Sequence, residues 1–166
     1  MREIDFQHDL LPLKNKLFRL SLRITMQHAE AEDVVQDTLL KLWERRQDLN
    51  NINSLEAYAL TTCRNIALDR IALKEKQNIS LDDSNADKPA DEPTMQERLE
   101  KEESLSKLRR LIDKLPEQQR SVLQLRDIEG LSTRKTAEIM HMTEEAVKVN
   151  LFRARQMLKQ KYLEIN

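Results

Sequence analysis

The sequence has one glycine and one cysteine in 166 residues. Loops that cradle phosphate groups need several glycines, because the backbone must turn tightly and approach the ligand closely, so Gly130 alone excludes them. Cys63 cannot form an internal disulfide, and on a helix beside Ala59 and Ile66 it reads as a small buried residue. His8, His28 and His141 lack metal-ligand spacing, and Cys63 has no evident base partner, so neither metal nor nucleophile chemistry is expected and no cofactor is implied. The chain reads as a non-enzyme. Aromatic residues make up 4% and prolines number four, which disfavours a sheet-rich protein built on turns and β-branched runs. No apolar run approaches membrane-spanning length, and MREIDFQHDL lacks a basic-then-apolar signal pattern, so the expectation is a cytoplasmic protein without membrane insertion.

What remains is helical and segmented. With 39% apolar and 34% charged residues, the composition is that of a globular all-α protein. The formal charge of −1 is a sum of unlike parts. Residues 1–77 carry 12 basic and 12 acidic side chains, 78–103 carry 3 and 9, and 104–166 carry 13 and 8. A basic C-terminal third joined by an acidic segment to a neutral N-terminal part points to nucleic acid at the basic end. The middle stretch, NISLDDSNADKPADEPTMQERLEKEE, has Pro89, Pro93 and little to bury before Leu99, and it reads as an acidic flexible linker between two small helical domains.

The later domain begins with a helix from about Glu97 to Lys114. Pro116 suits the first turn of the next helix, and Gly130 suits a left-handed stop. Ser132 caps STRKTAEIM, and Thr143 caps the long last helix. A short helix, a tight break at 141–143 and a long amphipathic helix form a helix-turn-helix pattern, with Ala137 small at the crossing and Ile139, Met142 and Val147 filling the angle. On the last helix, Val147, Leu151, Ala154 and Leu158 fall on one arc, the core face. The opposite side carries Glu145, Lys148, Val149, Phe152, Arg153 and Gln156. A simple helical hairpin explains the buried arc equally well, but not Val149 and Phe152 turned to solvent between cations. In a major groove, Lys148 and Arg153 reach guanine acceptors or phosphates, and Val149 and Phe152 touch thymine methyls.

The stretch LIDKLPEQQRSVLQLRDIEGLSTRKTAEIMHMTEEAVKVNLFRARQML resembles region 4 of bacterial RNA polymerase sigma factors, the module that reads the minus-35 promoter element. The resemblance implies minus-35 DNA contacts from Arg134, Thr143, Lys148, Val149, Phe152 and Arg153. One residue departs from the family pattern: His141 stands where the turn usually has glycine. A left-handed histidine there costs on the order of 1 kcal/mol, and the turn is expected to adjust slightly.

The N-terminal half contains AEAEDVVQDTLLKLWERRQDL, residues 29–49. Ala31, Val35, Leu39, Leu42 and Trp43 project onto one arc, and Asp33, Gln36, Asp37, Leu40 and Glu44 onto the other. An acidic stripe repels phosphates and suits a basic protein partner, although a plain solvated face has the same geometry. EDVVQDTLLKLW resembles sigma region 2.2, which docks on the clamp helices of the polymerase largest subunit. By that resemblance Asp33, Gln36, Asp37 and Leu40 are the core polymerase-binding positions. NNINSLEAYALTTCRNIALDRIALKEKQ resembles regions 2.3 and 2.4, which melt the minus-10 element and hold one strand. Opening a duplex is uphill, so a protein without an energy source must prefer the unpaired state, capturing an extruded base and tracking phosphates. Asn51 and Asn53 in the loop, Thr61 and Asn65 along one helix line, and Arg64, Arg70 and Lys74 as cations are the minus-10 strand-binding set the resemblance implies. Tyr58 reads as core.

Only regions 2 and 4 appear between about Leu10 and Leu163, so the chain resembles the extracytoplasmic function (ECF) group of the sigma-70 family. This implies region 2 at 1–77, a linker at 78–103 and region 4 at 104–166. Core RNA polymerase and promoter DNA follow as partners, as does an anti-sigma factor that covers the docking surfaces when idle. As a free coil of about 26 residues the linker averages near 30 Å against a contour of about 85 Å. Promoter elements one to two turns apart lie nearer the larger figure, so polymerase is expected to hold it extended. The alternative is a stand-alone helix-turn-helix regulator with a helical dimerisation or signal-receiving domain. Its acidic stripe, however, would repel its own copy.

Overall fold

In the computed structural model, residues 3–77 and 99–165 are described, with side chains from 104 to 163 in the second stretch. The expected linker lies outside the described residues, apart from its last five positions. The chain divides into two compact units, with the boundary inside this segment. Among the described residues every regular element is helical.

The first unit is built on α1 (Lys14–Thr25), α2 (His28–Glu44) and α3 (Leu55–Gln77), each packed against the other two. α1 ends at Met26 in the left-handed region, φ 60°, whose N–H closes on the Leu22 carbonyl at 2.8 Å. The chain thus reverses over Met26 and Gln27, and α2 begins at once. Leu17, Leu20 and Ile24 of α1 meet Val34, Val35 and Leu42 of α2 and Leu60 of α3 in the core. Between them sit Ser21, Ala31, Thr38, Ala59, Cys63 and Ala67, small residues that let the helices approach closely. Burying hydroxyls there is tolerable because each finds a partner. Thr38 Oγ1 donates to the Val34 carbonyl at 2.7 Å, and Ser21 Oγ lies 3.0 Å from Cys63 Sγ. A π-type turn, Phe6–Leu10, closes one end by setting Phe6 edge-on to Trp43, with ring centroids 5.7 Å apart. Arg46 covers the same indole at 4.0 Å.

Residues 45–51 form turns, and Ser54 then caps α3, its Oγ accepting from the Ala57 N–H at 3.1 Å. α3 runs unbroken for 23 residues.

The second unit comprises α4 (Leu99–Asp113), α5 (Glu117–Leu123), α6 (Thr133–Met140) and α7 (Glu144–Ile165). α4 starts at Leu99, close to the expected start near Glu97, so it overlaps the bounds read for the linker. Pro116 stands one place earlier than expected, as the residue before the first helical turn of α5, with φ −58° and ψ 150°. α5 runs directly into a π-type turn, Gln124–Ile128. Gly130 then takes φ 73° and lets the Leu131 N–H reach the Leu125 carbonyl at 2.9 Å. Ser132 and Thr143 cap their helices as expected, accepting from the N–H groups of Lys135 and Ala146, each at 3.0 Å. His141 is left-handed, φ 57° and ψ 46°, so the backbone keeps the glycine-type turn with a histidine in it. Val122, Leu125, Ile139, Val147 and Ala154 make the core, with Leu111, Leu115 and Leu151 around it. Arg120 is buried among them and donates to the Leu115 carbonyl at 2.8 Å.

Burial pushes the Cys63 thiol up to about 11, with hydrogen bonds from Ser21 and Thr38 working the other way. Thiolate is the nucleophile, so native Cys63 is expected to resist alkylation at pH 8 and to react at the rate of a free thiol only in denaturant. Mass-spectrometric counting of iodoacetamide adducts with and without urea checks this, and rapid native labelling would show that the core around it opens.

Candidate functional site

Two surfaces of opposite chemistry stand out, one on each unit. On α2, Ala31, Val34, Val35, Thr38, Leu39 and Leu42 are buried, and the helix therefore turns its other side outward. Val34 and Thr38 widen the buried arc beyond what was read from the sequence. Asp33, Gln36, Asp37 and Glu44 are exposed, and Leu40 among them is 57% exposed. The face is thus acidic with one apolar side chain in it.

α3 lies alongside. Arg70 reaches across to α2, with Nη1 donating to Glu30 Oε1 at 3.2 Å and Asp33 Oδ2 at 3.4 Å, and Nη2 to Asp37 Oδ2 at 3.1 Å. Lys74 Nζ is 3.0 Å from Glu30 Oε2. Two of the cations expected on a DNA strand are thus engaged with the acidic face of α2. Burial disfavours the Glu30 carboxylate, but the hydrogen bonds from Lys74 and Arg70 outweigh it and hold its pKa below the ordinary 4.5. Desolvation likewise opposes the Arg70 charge, and Glu30 and Asp37 prevail in raising its pKa.

Arg64, the third expected cation, is only 6% exposed. The reason was present in the spacing, since Ala57, Leu60, Arg64 and Ala67 recur at helical intervals and all are buried. Asn51, Asn53 and Asn65 are exposed, and Thr61 is half-buried with its hydroxyl donating to the Ala57 carbonyl at 2.8 Å. Tyr58 is half-buried. A groove of about 460 Å³ runs beside Arg70, lined by Ile66, Asp69, Leu73 and Lys74.

On the second unit, α7 buries Val147, Leu151 and Ala154 against α5 and α6. This fixes the opposite face outward, where Lys148, Val149, Phe152 and Arg153 are all exposed, Phe152 at 63%. Arg134 on α6 and Thr143 at the cap are exposed as well. A contact not foreseen holds this helix in place: Arg155 grips Asp127 with two bonds, Nε to Oδ2 at 3.0 Å and Nη2 to Oδ1 at 2.6 Å. Arg155 follows the exposed Arg153 and the buried Ala154 in sequence, and nothing local distinguishes its role from that of the other cations. No candidate metal cluster of histidine, cysteine and carboxylates occurs among the described residues, and none of their helices is long and apolar enough to cross a membrane.

Comparison with known proteins returns one family for both units. A model of sigma-70 region 2 matches residues 12–77, and a model of sigma-70, region 4 matches residues 105–158. The chain is 28% identical to the RNA polymerase sigma-H factor of Pseudomonas aeruginosa, over 90% of this chain and 83% of that protein. It is 27% identical to the ECF RNA polymerase sigma factor SigL of Mycobacterium tuberculosis, over 86% and 80%. A probable RNA polymerase sigma factor, RfaY of Xanthomonas campestris pv. campestris, is 26% identical over 91% of this chain, which spans 38% of that longer relative. Among solved structures, the sigma factor RpoE of Bartonella quintana, crystallised with the anti-sigma factor NepR, superposes with a TM-score of 0.76 at 25% identity and 98% coverage of both chains. CnrH, in complex with the cytosolic domain of CnrY, shares the fold with a TM-score of 0.69 at 20% identity, covering 97% of this chain and 88% of its own.

The Glu30 pairing makes the first unit sensitive to acid. Its folded pKa lies below the unfolded value, so its contribution is complete above 4.5 and is lost as pH falls through the lower folded value. Trp43 is the single tryptophan and lies in this unit, so its fluorescence reports the melting. The midpoint is expected to fall as pH is lowered through 4.5, and Arg70→Gln is expected to lower the midpoint at pH 6 while shrinking that fall.

Proposed function

The chain belongs to the sigma-70 family of promoter-directing RNA polymerase sigma factors, its region 2 at 12–77 and its region 4 at 105–158, and from that membership we propose how its surfaces divide the work. Residues 1–77 dock on core polymerase and open the minus-10 element, 104–166 read the minus-35 element, and 78–103 join them. The observation that carries this reading is the contrast between the exposed acidic face of α2 with Leu40 in it and the exposed cation-and-apolar face of α7.

Core polymerase meets Asp33, Gln36, Asp37 and Leu40. Complementary charge speeds encounter and sets register, while Leu40 supplies an apolar contact that slows release. On α7, Lys148 and Arg153 engage base edges or phosphates, and Val149 and Phe152 fill the space over thymine methyls. Arg134 and the Thr143 hydroxyl flank the groove. Asn51, Asn53, Thr61 and Asn65 face the unpaired minus-10 strand, with Arg70 and Lys74 toward its phosphates. Arg64 is left to the core.

Each reader is weak alone. A single small helix in a major groove and a surface that needs melted DNA give poor affinity, and joining them on polymerase raises the effective concentration of each for its element. The chain works without chemistry of its own, in the cytoplasm, and an anti-sigma factor covers its docking surfaces. The structures it resembles include the sigma factor RpoE in complex with the anti-sigma factor NepR. A stand-alone regulator is not favoured, because the N-terminal half matches region 2 in addition to the region 4 match of the C-terminal half.

Asp37→Arg is expected to weaken co-elution with core polymerase while leaving the thermal melting of the second unit unchanged. Full transcription and normal core binding in that variant would remove the docking assignment. Lys148→Ala and Arg153→Ala are each expected to cost about 1 to 3 kcal/mol of promoter affinity and to relax preference at single minus-35 positions, measured by runoff transcription over a promoter library.

A further inference from the structure

The carboxylates that face a basic partner are already occupied from inside the unit. Arg70 divides its guanidinium among Glu30, Asp33 and Asp37, at 3.2, 3.4 and 3.1 Å. Those three acids differ in setting. The Glu30 side chain is 20% exposed and is also held by Lys74, whereas Asp33 and Asp37 are 58% and 52% exposed. A guanidinium binds best when both of its arms grip one carboxylate, as Arg155 does on Asp127. Arg70 instead makes single bonds to Asp33 and Asp37, near the surface, where an ion pair is weak and competes with water. Such contacts exchange cheaply. If another cation takes the two aspartates, Glu30 keeps Lys74, and no buried charge is stranded.

We infer that Arg70 is an internal placeholder on the docking face, occupying Asp33 and Asp37 in the free factor and yielding them to the basic residues of polymerase. Arg70 already lines the groove along α3 together with Glu30, Asp69 and Lys74, so once released from the aspartates its charge is free to turn into it. There it joins Lys74 in meeting strand phosphates. The same side chain thus serves two anions in succession, carboxylates off the enzyme and phosphates on it. Because binding couplings are reciprocal, polymerase strengthens strand capture and strand capture strengthens the hold on polymerase. This inference rests on the reading of Asp33 and Asp37 as docking residues.

The test measures affinity for core RNA polymerase, and then retention of a mixed-sequence single-stranded 30-mer DNA by the holoenzyme at several salt concentrations. It compares the full chain with its Arg70→Gln, Arg70→Lys and Asp37→Asn variants. Arg70→Gln removes the competitor, so core binding is expected to tighten about two- to five-fold, the scale of an exposed ion pair. Strand retention should weaken, its salt slope shrinking by about 0.7 for one lost phosphate contact. Arg70→Lys spans fewer carboxylates but keeps the charge, so core binding should tighten while the salt slope stays. It also serves should the glutamine variant fail to fold. Core binding that is unchanged or weaker in the Arg70 variants, or a salt slope undiminished in Arg70→Gln, overturns the inference, since Arg70 would then be a fixed strut between α2 and α3. Asp37→Asn without effect on core binding would instead remove the docking reading beneath it.

Discussion

Close approach of α3 to α1 and α2 is the constraint on which the first unit depends. It exists because Ser21, Thr38, Ala59, Cys63 and Ala67 occupy the positions where larger residues would force the axes apart. The buried hydroxyls are tolerated because their bonds are completed within the helices or across to the thiol. At that spacing a guanidinium on α3 spans to three carboxylates on α2. A wider interface would leave the acidic stripe and the cations of α3 as two independent surfaces. Packing of small side chains in the interior therefore decides the electrostatics outside.

The second unit solves a different problem with the same economy of residues. α7 must present one face to solvent without turning, so its buried arc is fixed from beneath by α5 and α6 and from the side by the Arg155 grip on Asp127. The turn before it is held by a histidine in a left-handed conformation, which an L-residue adopts at a cost. Capping by Thr143 and Ser132 and the buried Ile139 and Val147 offset that cost locally. In this unit the surface ion pair grips one carboxylate with two bonds, whereas in the first unit one guanidinium makes single bonds to three carboxylates.

Much of this was legible in the sequence because it is local. Helical periodicity placed Val147, Leu151 and Ala154 inside and Phe152 outside, and cap chemistry located Ser132, Thr143 and Gly130. The acidic face of α2 followed from the same projection. Arg70 was expected on a DNA strand because sequence separates it from Asp33 and Asp37 by more than thirty positions, and only the helix crossing brings them together. Arg64 was a misreading of available information: its charge outweighed a periodicity that already put it with Ala57, Leu60 and Ala67. Arg155 was invisible, since its partner lies in a π-type turn that no residue pattern announces.

Gly130 is the single glycine of the sequence. Its φ of 73° requires the left-handed region, yet a methyl group built there would meet nothing within 4 Å. The lone glycine is therefore retained for its torsion and not for room. Any side chain there would be strained by the torsion, asparagine less than most. Met26 and His141 already hold left-handed corners elsewhere without a glycine, so of three such corners this architecture gives only one to the residue best suited to it.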